Sequence, residues 1–337
     1  VSEDSRTLYV HNFTERSISE VDISRITEQG ELTASVMDTH TLIDDEVLSA
    51  EILRGKQLFY DAADDRLAAM DYTSCASCHN DADHDGRVWD FTQLGEGVRN
   101  TTSLRGKGNP EHGLFHWTGN FNEIQDFEGQ IRSFAAGLGL MSNSDFATTE
   151  DPLALNKAGR SADLDALSAY VMSLDAMSTN PNGEVEDDAA AVRGKALFAT
   201  NCSSCHAGEF MTDSAAGELH DIGTATAASG KRIGAALGGF DTPTLLGLWE
   251  TAPYLHNGSA LTIAQAIQAH SLPLNTAQIS DLENYLLRIP ATGGEVVENG
   301  DVALIEDVVS TSEVAQGEWQ WYVFDSSDEH SSVSFAL

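Results

Sequence analysis

The chain has 337 residues, about two domains by length, and carries 18 Lys plus Arg against 53 Asp plus Glu, a formal charge of −35. That balance excludes a nucleic-acid footprint, which needs a basic patch, and it disfavours anionic membrane surfaces. The acids are scattered along the chain, so a solvated surface accounts for them better than a docking site for a basic redox partner. No apolar run reaches transmembrane length. The start at Val1, with no signal peptide before it, reads as a mature or trimmed product.

In chain order, Leu8-Tyr-Val10 and Ile18–Ile23 alternate in the β pattern around a polar turn, which predicts a hairpin. Residues 1–44 are read as this β segment, similar to a fragment of a propeller blade. Arg54-Gly-Lys-Gln-Leu58-Phe59 then predicts a helix, followed by Cys75-Ala-Ser-Cys78-His79. The same order returns as Arg193-Gly-Lys-Ala-Leu197-Phe198 and Cys202-Ser-Ser-Cys205-His206. Phe59 precedes Cys75 by 16 positions and Phe198 precedes Cys202 by 4, so the first copy holds 12 extra residues. Leu164–Leu174 and Ile279–Ile289 match as short amphipathic helices, each after its cysteine motif, with Pro290 expected to stop the second. Such an internal repeat predicts two units, at 45–177 and 189–292, joined by the polar stretch 178–188. Beyond, 293–337 alternates apolar and polar around Trp319–Phe324 and reads as strand.

C-x-x-C-H is the attachment signature of a c-type haem: two thiols add to the macrocycle and the adjacent histidine ligates the iron. Zinc or a redox dithiol are the alternatives. A four-cysteine zinc site has to join pairs far apart in sequence, and neither alternative explains a histidine after each pair. Cys75, Cys78, Cys202 and Cys205 are the only cysteines. The reading is therefore two covalent haems, with His79 and His206 as iron ligands. Attachment of this kind takes place outside the cytoplasm, so the expected location is the bacterial periplasm or the cell exterior.

Thr242-Pro-Thr-Leu-Leu-Gly-Leu-Trp249-Glu-Thr251-Ala-Pro253-Tyr254-Leu-His256-Asn-Gly258, Gly97-Val-Arg99-Asn100 and Phe115-His116-Trp117-Thr-Gly119 resemble motifs of the bacterial di-haem cytochrome c peroxidase and MauG superfamily. The match covers roughly residues 45–290 and is similar above all to di-haem cytochromes fused to β-propellers. The resemblance implies a mainly α fold of two cytochrome c-like domains, here with short β segments at both termini. It places the sixth ligand of the C-terminal iron at His270, where peroxidases hold Met and MauG-type enzymes Tyr. In the N-terminal half the family's loop histidine falls on Thr92 and its catalytic glutamate near Leu140. A distal glutamine matches Gln130, and His116 takes a distal aromatic position, as acid/base or as sixth ligand. Glu123, Asp126 and Glu128 are further proton-carrying candidates, and His84 and His112 weaker histidines. Trp117 matches an electron-relaying tryptophan, and Asn100, Thr251 and Pro253 match a calcium site. The implied function is peroxidase-like, with H2O2 or another small oxidant as substrate and a small cytochrome or cupredoxin as redox partner. A pure electron-transfer protein is the alternative, and MauG-like protein oxidation a less attractive third, because position 270 is not Tyr.

Overall fold

The computed structural model describes residues 1–106, 112–174 and 179–289, with the backbone of Trp321–Asp325 and Ser332–Ala336. Pro290 and the segment around Trp319 lie outside the described residues. No helix among the described residues is long and apolar enough to cross a membrane.

Residues 1–49, grouped with the two C-terminal strands, form one compact unit, and the described residues 50–289 belong to another. In the first, β1 (Thr7–Asn12) and β2 (Ser17–Asp22) pair antiparallel in the expected hairpin. A helix α1 (Ser24–Gln29) then leads to β3 (Ser35–Thr41), which extends the hairpin to three strands in the order β1-β2-β3. The third strand was not legible in the sequence: every residue of it is exposed, so it lacks the alternation of a half-buried strand. Trp321–Asp325 and Ser332–Ala336 pair antiparallel with each other.

The second unit is mainly helical. Its helices are α2 (Ala50–Tyr60), α3 (Glu128–Ser133), α4 (Asn143–Thr148), α5 (Ala162–Met172), α6 (Ala189–Asn201), α7 (Ile263–Ala269) and α8 (Thr276–Leu286). The sequence repeat reappears as two helix pairs, α2 on α5 and α6 on α8. Gly55 faces the Ala166 carbonyl so closely that an added Cβ would lie 1.9 Å from its oxygen, and Gly194 faces the Asp281 oxygen at 2.0 Å. Glycine is therefore required in both copies, because only a bare Cα lets the helix axes come this near. Phe59 meets Tyr170 edge-on at 5.2 Å, and Phe198 meets Tyr285 at 5.2 Å. Arg54 clasps Asp163 with two bonds of 2.8 Å, and Arg193 clasps Asp281 at 2.8 and 2.6 Å. These contacts are what R-G-K-x-L-F encodes.

Each helix pair carries its own hydrophobic core. Leu58, Phe59, Leu67, Leu164 and Leu167 belong to the first, with Cys75 packed against it; Phe198, Ile263, Ile267, Leu282 and Leu286 belong to the second, with Cys202 against it. Helix starts follow the usual rule that a side-chain oxygen satisfies an orphan amide: Ser161 caps α5, Asp188 α6, Thr262 α7 and Asn275 α8.

Two stretches read as loops are fixed by specific bonds. The 12 extra residues of the first copy turn back on the segment after α3, where Ala69 N–H donates to Ala135 O (3.1 Å) and Gly139 N–H to Arg66 O (2.9 Å). The described part of the polar linker is also docked. Asn180 and Asn182 donate to Leu287 O at 3.0 and 3.1 Å, occupying a carbonyl at the end of α8, and Val185 is buried.

A third element, β4 (Val88–Phe91) paired with β5 (Gly97–Asn100), carries the Arg99-Asn100 motif into the space between the two cores.

Candidate functional site

Both C-x-x-C-H motifs close with the same bond: His79 N–H donates to Cys75 O and His206 N–H to Cys202 O, each at 3.0 Å. Burial pushes the Cys75 and Cys202 thiols up to about 11. A reactive dithiol needs the opposite shift, toward the thiolate. The one group of metal-ligand type among the described residues, Cys205 with Asp213 and His220, includes a single cysteine of the four and so gives no support to a thiolate zinc site.

Each motif opens onto a cavity, of about 280 Å³ for the first and 240 Å³ for the second. The first is lined by Cys75, Cys78 and His79 and walled by Phe59, Leu67, Phe127, Ile131 and Leu167. Cys202, Cys205 and His206 line the second, with Phe198, Leu245, Ile263, Ile267 and Leu282 as apolar wall. Apolar walls with paired thiols and a histidine at one side fit a covalently held macrocycle. His79 Nδ1–H donates to Asp83 O (3.2 Å) and His206 Nδ1–H to Met211 O (3.3 Å). That bond fixes the tautomer in which Nε2 is the ligating atom.

His270 faces His206 across the second cavity. It sits at the C-cap of α7, where its Nδ1–H donates to Ala266 O (2.8 Å), and the two ring centroids are 6.4 Å apart. A metal–imidazole bond of about 2.0–2.1 Å and a ring radius of about 1.1 Å put two trans imidazoles about 6.3 Å apart. The centroid separation thus matches that of two imidazoles that share one metal ion. Burial, and after it His270, pushes His206 down to about 4, which keeps it neutral.

The first cavity is built differently. His116 lies on the turn joining Phe115 to Phe121, at φ 68°, and its ring packs between Phe121 (4.3 Å) and Phe127 (4.8 Å). Its Nδ1 bonds Asn120 Oδ1 (2.9 Å), and Asn120 Nδ2 donates to Glu96 Oε1 (3.3 Å). An ionised carboxylate only accepts, so Glu96 turns the amide nitrogen toward itself, the amide oxygen toward His116, and the imidazole proton onto Nδ1. Nε2 is left with its lone pair. Burial pushes the His116 pKa down, so the ring is neutral at neutral pH.

Of the remaining sequence candidates, Gln130 lines this cavity. Glu123, Asp126 and Glu128 do not, for each has structural partners: Asp126 holds Lys157 Nζ at 2.6 Å, Glu128 holds Arg132 and the Leu140 and Met141 amides, and Glu123 accepts from Lys157 N–H. His84 is spent likewise, accepting from Gly86 N–H and donating to Glu250 O, both at 3.0 Å. His112 is buried on the wall. Sequence reasoning missed Glu96 and Asn120; the latter stands four residues from His116, an available but weak signal.

Trp117 lines both cavities, as do Asn100, Thr101, Thr102 and Asp241–Thr244. Its indole N–H donates to Asn100 O (2.9 Å) and its carbonyl accepts from Asp241 N–H (2.9 Å). Asn100 Nδ2 in turn donates to Pro253 O, while Asn100 Oδ1 is buried with no partner.

Residues 239–273 match the family model described as RoxA-like, cytochrome c-like; this segment contains His256 and His270. No curated protein sequence matches the chain. Among solved structures it is similar to hydrazine synthase of Kuenenia stuttgartiensis, at TM-score 0.49 and 23% identity over 74% of this chain and 90% of that one. A MauG-like protein associated with microbial copper homeostasis gives TM-score 0.49 and 20% identity over 73% and 90%. The diheme peroxidase BthA of Burkholderia thailandensis gives 0.46 and 15% over 73% and 86%. The match over residues 239–273 agrees with the cytochrome c-like character expected of this segment, and the described residues from 50 to 289 are mainly helical.

Proposed function

We propose that this chain is a peroxidase-like di-haem oxidoreductase: H2O2 reacts in the His79 cavity, and the His206/His270 cavity stores and delivers electrons. The asymmetry of the cavities carries this reading. One side presents two imidazoles with centroids 6.4 Å apart, so that His206 and His270 would both hold one iron there. The other presents His116 as a neutral base, with Gln130 on the same cavity wall. Each haem supplies one-electron chemistry when bound. His116 Nε2 takes the proton from one peroxide oxygen and gives it to the other, and with two electrons and two protons H2O2 becomes two waters. Gln130 orients the peroxide. Trp117, on the wall of both cavities, carries electrons between them.

We further read residues 45–177 and 189–292 as two cytochrome c-like domains, each built on one helix pair and one core. Asn100 with the Thr251 and Pro253 carbonyls is proposed to hold Ca²⁺. The Asn100 amide meets the Pro253 carbonyl through Nδ2–H and leaves Oδ1 buried without a partner; turned over, the amide would offer that oxygen beside Pro253 O, and oxygen donors suit this cation. Residence is in the periplasm or outside the cell, with a small cytochrome or cupredoxin as electron donor.

The test is His116→Ala. Loss of an acid/base slows reaction with H2O2 by about 10²–10⁴-fold at unchanged haem content. If His116 is instead the sixth ligand of a pure electron-transfer protein, the same change turns a low-spin haem high-spin and speeds the reaction. An unchanged rate and spectrum overturns both readings.

A further inference from the structure

Arg99 sits in β5 on the wall of the first cavity, only 5% exposed. Two of its N–H groups donate to backbone carbonyls, Nη1 to Val98 O and Nη2 to Ser229 O, each at 2.8 Å; its Nε–H has no acceptor. Its guanidinium carbon lies 5.5 Å from the centroid of Phe240, whose ring is stacked on His256 at 3.8 Å. His256 offers no charge, since burial, and after it Arg99, pushes its pKa down to about 4. Glu96 acts on Arg99 only at a distance, and among the described residues no carboxylate forms an ion pair with it. A buried cation without a counter-charge is costly. Lys157 shows how this chain otherwise treats one: it is 1% exposed and held by Asp126 at 2.6 Å. Arg99 departs from that rule on a cavity wall, with a donor to spare.

We infer that Arg99 is a carboxylate-binding residue of the first cavity, its counter-charge brought by whatever occupies that space. Guanidinium and carboxylate match as a planar, charge-assisted pair. Two sources offer that chemistry: a propionate of the haem attached at Cys75 and Cys78, or a small carboxylate from solution. The inference rests on the two-haem reading proposed above.

The experiment compares Arg99→Met and Arg99→Lys holoproteins with the parent, by redox titration of each haem with and without acetate and formate. Haem content is measured on the same samples, so failure of the two-haem reading is seen separately. A propionate partner predicts that Arg99→Met makes the N-terminal haem harder to reduce, because a cation no longer offsets the electron. The reduced-to-oxidised ratio falls about tenfold, or 59 mV for one electron. The C-terminal haem stays put, Arg99→Lys retains most of the parent value, and acetate changes nothing. An external carboxylate predicts instead that acetate or formate shifts the parent's spectrum and potential and that Arg99→Met abolishes the response. The proposal is overturned if Arg99→Met keeps both haems, both potentials and an unchanged response to acetate. Should that variant not fold, Arg99→Lys and Arg99→Gln decide by the same readings, with loss in Gln and retention in Lys expected.

Discussion

Removing the His270 imidazole is the most direct trial of the second cavity. The two centroids stand 6.4 Å apart, against about 6.3 Å for two rings on one metal, so His270→Ala leaves the His206 iron with one protein ligand. One haem of the two per chain, half the total absorbance, should convert from low-spin to high-spin in the electronic spectrum and by EPR. Since α7 holds the ring by its own Ala266 carbonyl, removal leaves an imidazole-sized space and disturbs no other element. Free imidazole should therefore restore the low-spin spectrum with a dissociation constant of about 1 mM, a binding free energy of about −4 kcal/mol. His270→Met should give a low-spin haem of raised potential, because a thioether favours the ferrous state. If His270→Ala keeps its low-spin spectrum and ignores imidazole, the ring pair is packing only and the ligand must be sought elsewhere, with His256 on the same cavity wall as the next residue to test.

Denatured protein should retain two haems per chain and give a c-type pyridine haemochrome spectrum; one haem, or zinc bound at either motif, contradicts the cavity assignment. Gly194→Ala should lose about 3 kcal/mol in a denaturant melt, since its Cβ would stand 2.0 Å from the Asp281 oxygen and overpacking of this kind is costly; a neutral result would mean that α6 and α8 slide freely. Arg54, followed by Arg66, holds Asp163 down to about 2; discounted for solvent screening in this surface cluster, the depressed carboxyl adds about 1 kcal/mol at pH 7. That contribution is complete above the ordinary carboxyl range and vanishes as pH falls through 2, so Asp163→Asn should cost it at pH 7 and nothing below pH 2. Calcium chelation should alter both haem spectra if a cation sits at Asn100, beside the indole that lines both cavities.

The duplicated frame was legible because its contacts are made by residue types at fixed spacing. R-G-K-x-L-F supplies an arginine for an aspartate on the partner helix, a glycine for close approach and a phenylalanine for a tyrosine ring, and each recurs in both copies. The haem motifs were legible on the same ground, whereas His270, at the C-cap of α7, was singled out only through the family resemblance. Where partners come from distant, irregular segments, legibility fails. Glu96 reaches His116 only through Asn120, and the acids that looked available, Asp126 and Glu128, are consumed by Lys157 and by backbone amides that no local pattern reveals. The carboxylate sought near Leu140 is absent from its sequence position, yet Glu128 places its oxygen 2.9 Å from the Leu140 nitrogen, where it braces a loop and carries no proton for the cavity.

Frame and chemistry are therefore separable. The two helix pairs share the same clasp and the same glycine, and the turn that carries His116 also recurs: Phe115 pairs with Phe121 and Tyr254 with Ala260, with His116 and Leu255 both at φ 68°. What differs between the halves is the side chain that each place presents to its cavity. His270 rides on α7, a regular helix that fixes a ring rigidly opposite His206. His116 rides on a short turn at positive φ, steadied only by two phenylalanines and an Asn–Glu chain. On the reading proposed above, a ligand needs a fixed position and a proton carrier a free Nε2, and these two settings would suit those two roles. Substitutions in the frame should lower stability with both spectra intact, and substitutions on a wall should change the spectrum of one haem with stability intact. On the proposed reading, a duplicated scaffold would let one half be fitted for electron storage and the other for reaction without rebuilding the fold that holds them.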